Sequence, residues 1–89
     1  MIKVVLTANL QKYYPEPKFE IEASSLRDLL MKMDVKRPRF STYILEDDDS
    51  IRKHVNIFIN GEMHREKTNI DVKLTSGSQV HIMQALSGG

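Results

Sequence analysis

Three histidines, His54, His64 and His81, are the side chains of this sequence with the widest chemical range, from metal ligation to proton transfer. Their spacing gives them no shared task. His54 and His64 flank a hairpin signal, and neither i,i+4 nor Cys-His spacing accompanies them, so they read as surface histidines and no metal site is expected. Asp47, Asp48 and Asp49 are consecutive, without the alternating ligands, central glycine and twelfth-position glutamate of a calcium loop. They read as a solvated turn. Lys32, Lys36, Arg37 and Arg39 carry charge enough for a weak phosphate contact, but no aromatic stacking platform surrounds them, and they suit the negative end of a helix dipole. There is no Ser-His-Asp order, glycine-rich phosphate loop or usefully spaced carboxylate pair, so the chain is not expected to be an enzyme. With no cysteine it cannot carry sulfur as a side-chain persulfide. What remains is the end of the sequence, "QALSGG", which holds two of the four glycines. A terminal Gly-Gly fits a frayed tail as well as a working end, and the dipeptide alone does not separate them.

The whole chain bounds the choice. Its 89 residues, 40% hydrophobic and 28% charged, fit one small domain with one core. A formal net charge of +1 supplies no general attraction to phosphate backbones, so no nucleic-acid partner is expected. No apolar run is long enough to span a membrane, and "MIKVVLTANL" lacks the basic start and long apolar stretch of a signal peptide. The expected location is cytoplasmic.

The elements that must position the tail follow from periodicity. Ile2, Val4 and Leu6 alternate in "MIKVVLT", and Phe19 and Ile21 do so in "KFEIEA", which predicts two strands separated by an irregular loop over "ANLQKYYPEP". Ser25 with Asp28 resembles a capping box, and Leu26, Leu29, Leu30 and Met33 follow at helical spacing, so a helix should start there and end before Pro38. "RFSTYILEDDDSIRK" reads as a connection with room for one short helical turn around Phe40, Tyr43 and Ile44. "HVNIFINGEMH" places Val55, Ile57 and Ile59 on one face, then turns at Asn60-Gly61, the signal for a type I′ hairpin. After Leu74 and a turn at Gly77, "QVHIM" predicts a last strand with Val80 and Ile82 inward. Phe58 and Met83, and with them Val5, then fall on the sheet face that the helix leaves open. An apolar patch there marks a partner site.

The residues "VNIFINGE" and "LTSGSQVHIMQALSGG" resemble the second half of the MoaD/ThiS family of ubiquitin-like sulfur carriers, most specifically over residues 55–89. The long stretch with Arg52 ahead of the strand is similar to the molybdopterin-synthase small subunits and cysteine-pathway carriers. Ser78 stands where the family usually has Asp, and Gln84 where proline commonly stiffens the tail base. The resemblance implies an α+β fold, a ubiquitin-like β-grasp with a mixed sheet of four to five strands and one main helix on one face. It implies a domain over residues 1–83 and a flexible tail over 84–89. It also implies that the Gly89 carboxylate is adenylated by a ubiquitin-activating-type enzyme using ATP and converted to a thiocarboxylate that donates sulfur in cofactor or metabolite biosynthesis. The chain itself then binds no cofactor. Gly88, Ser87 and Leu86 would thread the partner's channel, and Phe58, Met83 and Val5 would dock the adenylating enzyme or a sulfur-accepting enzyme. The alternative is a protein modifier joined to lysines through Gly89.

Overall fold

The alternation at the start of the chain becomes strand β1 (Ile2–Leu6) in the computed structural model, which describes residues 1–84; Ile2, Val4 and Leu6 are buried on one face. The segment after it departs from the expected irregular loop. It opens with a single helical turn, α1 (Ala8–Gln11), whose Leu10 is fully buried while Gln11 Nε2 donates to the Leu6 carbonyl at 3.0 Å. One turn is too short to show a 3.6-residue period, so its only sequence trace is Leu10 itself. Tyr14 is buried as well, stacked on Phe19 at 4.9 Å and edge-on to Phe40 at 5.1 Å, and burial pushes its phenol pKa up.

Strand β2 (Lys18–Ile21) returns antiparallel to β1. Helix α2 (Leu26–Lys36) then covers the sheet with Leu26, Leu29, Leu30 and Met33. Its start is closed twice. Ser25 Oγ accepts the Asp28 amide at 3.0 Å, while Asp28 Oδ2 accepts the Ser24 amide, one residue earlier than in the reciprocal box. The free Leu26 and Arg27 amides donate to the carbonyls of Val72 and Ile70, so a loop takes up donors that a helix leaves unpaired. Beyond the helix, a 3-10 turn (Phe40–Tyr43) buries Phe40 and is tied to α2 by Asp34, which accepts from the Ser41 amide and hydroxyl at 2.7 and 2.6 Å.

Strands β3 (Val55–Ile59) and β4 (Glu62–Met63) form the expected hairpin, with Asn60 and Gly61 at φ 53° and 85°, as a turn of this kind requires. The chain then crosses without further strands to β5 (Gln79–Gln84). Just before β5, the Ser78 hydroxyl accepts the Thr75 amide at 3.2 Å across the turn at Gly77. The sheet order is β2-β1-β5-β3-β4, with β1 and β5 parallel at its centre and the other pairs antiparallel. This is a β-grasp fold, a mixed five-stranded sheet with one main helix on one face.

Candidate functional site

Strand alternation leaves Lys3, Val5, Asn56, Phe58, His81 and Met83 on the face away from α2, and the pairing aligns part of that face into one transverse row. Lys18 pairs with Val5, Val5 with His81, His81 with Phe58, and Phe58 with Met63, crossing all five strands. Phe58 and Val5 point outward as expected but are half-buried by their neighbours, whereas Met63 and Met83 are 39% and 40% exposed. Met83 lies beside Asn56, next to the end of β5. The structure therefore brings Val5, Phe58 and Met83 onto one surface and adds Met63 and His81 to it. Met63 was within reach of sequence reasoning, because a two-residue turn at Asn60-Gly61 makes residue 63 the partner of residue 58. His81 follows from the same alternation that places Met83.

Where β5 runs past the end of β1, side chains take over the ladder. The Thr7 amide donates to the Ile82 carbonyl at 3.2 Å, which is the last backbone bond on that side. One residue pair further, Thr7 Oγ1 accepts the Gln84 amide at 3.3 Å and Asn9 Nδ2 donates to the Gln84 carbonyl at 3.0 Å. Thr7 caps α1 yet makes no side-chain cap bond to it, so its hydroxyl is committed to β5 instead. Thr7, Asn9, Asn56, Met83 and Gln84 line a shallow hollow at this point. Gln84 is thus the last residue of β5, although the tail was expected to begin there. Leu86, Ser87, Gly88 and Gly89 lie outside the described residues, and so does the expected flexibility of the tail beyond Gln84. Neither Thr7 nor Asn9 stood out in the sequence, since Thr7 only closes the alternating stretch "MIKVVLT" and Asn9 falls in one without period.

Several other polar groups are tied into the fold. Hydrogen bonding, first from the Ser24 amide, holds the Asp28 carboxyl below the usual range; the Ser50 hydroxyl and amide do the same for Asp48, and the Arg27 guanidinium for Asp71. Arg52 donates to the Thr42 carbonyl at 2.9 Å and to Glu46 at 3.0 Å, fastening the 3-10 turn to the approach to β3. Of the basic cluster, Lys32 donates to the Glu22 carbonyl and pairs with Asp28, and Lys36 pairs with Glu16. His64 Nε2 lies 2.7 Å from the Asn69 carbonyl. Among the described residues no three His, Asp or Glu side chains gather into a metal-binding group, and no helix is long and apolar enough to cross a membrane.

The family model described as the ThiS family matches residues 4–89. The chain belongs to the ThiS family. No curated protein matches its sequence, but solved structures do match its fold. The crystal structure of the Amycolatopsis orientalis BexX/CysO complex contains a chain that is 14% identical, with a TM-score of 0.87 and 100% of each chain covered. Mycobacterium tuberculosis CysO is 16% identical with a TM-score of 0.84, over 97% of this chain and 100% of that one. Small archaeal modifier protein 1 from Methanosarcina acetivorans is 26% identical with a TM-score of 0.79, over 99% of this chain and 95% of that one. The first two likenesses show the ubiquitin-like fold alone. The ThiS-family match extends through Gly88 and Gly89, which the sequence singles out chemically.

Proposed function

We propose that this ThiS-family protein is a sulfur carrier that acts through the carboxylate of Gly89. A carboxylate resists displacement because its oxygen leaves poorly. Attack of that oxygen on the α-phosphorus of ATP, with loss of pyrophosphate, makes an acyl adenylate, and hydrosulfide delivered by a sulfur donor then displaces AMP and gives up its proton to leave a thiocarboxylate. The described residues of this chain gather no base or metal group for those steps, so an adenylating enzyme of the ubiquitin-activating type supplies them, and a biosynthetic enzyme accepts the sulfur. The carrier contributes a docking face, Val5, Phe58 and Met83, and a tail of residues 86–89 whose two glycines let backbone approach the nucleotide closely. The observation that carries this reading is the family match reaching residue 89. CysO, the fold neighbour, is crystallised with BexX, which suits a carrier that works against a partner enzyme.

The test is intact mass after incubation with the cognate activating enzyme, ATP and a sulfur donor. The native chain should gain the mass difference between sulfur and oxygen. A variant with one residue appended after Gly89 should not, because the carboxylate moves by about 3.5 Å. Equal conversion of both, with the added residue retained, overturns the reading. The second reading, a modifier joined to lysines, is favoured by the 26% identity to an archaeal modifier protein. It predicts isopeptide-linked adducts in the native cell in place of a thiocarboxylate.

A further inference from the structure

We propose that Thr7 and Asn9 are positioning residues for the Gly89 carboxylate, a claim that rests on the sulfur-carrier reading. Backbone pairing between β1 and β5 reaches only to Leu6 and Ile82, followed by the Thr7 amide on the Ile82 carbonyl. Gln84 pairs by register with Val55 on its other side, and both its amide and its carbonyl face α1 rather than β3. Those two groups would have no partner on that side if the side chains of Thr7 and Asn9 did not reach them. The hydroxyl and the carboxamide stand in for the strand residue that β1 no longer provides. One binds the donor and the other the acceptor of the same residue, a pairing that fixes direction as well as position.

The consequence is a set point for the tail. Held at Gln84, residues 85–89 reach at most roughly 17 Å; with Gln84 released and Met83 still paired with Asn56, residues 84–89 reach up to roughly 21 Å and lose the direction that the two contacts set. A carboxylate on the longer, unaimed tether spends less of its time at a partner's nucleotide, because effective concentration falls with tether length and orientation is lost. Thr7 and Asn9 border the hollow that Met83 also lines, so a loss of docking would appear in KM and is read separately from a loss of aim.

The experiment compares the wild type with Thr7→Val/Asn9→Ala and with Thr7→Ser, which keeps the hydroxyl. Amide hydrogen exchange, read without any partner, should accelerate about tenfold or more at Gln84 in the double variant, with Val80 and Ile82 unchanged and the thermal midpoint close to wild type. In adenylation by the cognate activating enzyme, measured as ATP–pyrophosphate exchange, the double variant should lose about threefold or more in kcat at unchanged KM, and Thr7→Ser should match the wild type. Unchanged exchange at Gln84 overturns the clamp. Accelerated exchange with wild-type kcat shows that the clamp is structural only and overturns the positioning role. If the wild type itself is not adenylated, the sulfur-carrier reading fails, and this proposal fails with it.

Discussion

At the scale of single residues, the decisive groups are those with several partners. Lys67 Nζ donates to the carbonyls of Arg52, Lys53 and Val55 at 3.2, 3.2 and 2.7 Å, holding the chain as it enters β3. Removing it leaves three carbonyls short of a donor, and Lys67→Met should cost about 1–3 kcal/mol in denaturant unfolding. Nothing about Lys67 in the sequence separates it from the surface lysines, because its partners are backbone atoms more than ten residues away. Ser25 is the opposite case. Its place before a run of apolar residues at helical spacing, with Asp28 following, announced the helix start, and Ser25→Ala should lose about 1 kcal/mol. Asp28 also sets a pH dependence. Its folded pKa lies below the unfolded one, so the unfolded chain binds the extra proton. The stability it confers is complete above about pH 4 and is lost as pH falls through the folded pKa. The unfolding midpoint should decline with acid below that range, and Asp28→Asn should flatten the decline. A variant that keeps the wild-type slope would assign the effect to Asp48 and Asp71, which are shifted the same way.

At the scale of elements, what could be read ahead was what repeats. Alternation in β1, β3 and β5, helical spacing in α2 and the Asn60-Gly61 turn each carry a period or a backbone requirement visible over a few residues, and together they place Phe58, Met83 and Val5 on one face. The segment after β1 carries neither, and there the structure adds most: α1, the buried Leu10 and Tyr14, and the contacts of Thr7 and Asn9 with Gln84. A single turn flanked by Pro15 and Pro17 has too few residues for a pattern, and its conformation is decided by the cavity it fills. That difference can be measured. Leu10→Ala should cost about 2–5 kcal/mol, as for any fully enclosed leucine, whereas a leucine in an irregular surface loop would cost under about 0.5 kcal/mol. For the sheet face, Phe58→Asp should raise the KM of the activating enzyme while leaving kcat intact, the reverse of the pattern expected on loosening Gln84. Unchanged KM in a folded Phe58→Asp protein would remove Phe58 from the docking surface.

At the scale of the whole molecule, the architecture joins sequence-distant parts. The parallel pair β1 and β5 forms the middle of the sheet, with Lys3 aligned to Gln79 and Leu6 to Ile82. A chain truncated before Gln79 loses the strand that joins its two antiparallel halves, and it should show no cooperative unfolding by circular dichroism. The same pairing bears on the order of events during synthesis. Contacts of such long sequence separation must wait for nearly the entire chain, and closing that span before any reward slows folding relative to helical proteins of similar size. On the ribosome the first strand emerges long before its central partner, so β1 and β2 must persist as an unfinished hairpin with an open apolar edge. The sheet can therefore be completed only after β5 is out, so the face that carries Val5, Phe58 and Met83 first exists late in synthesis, when its central strand arrives.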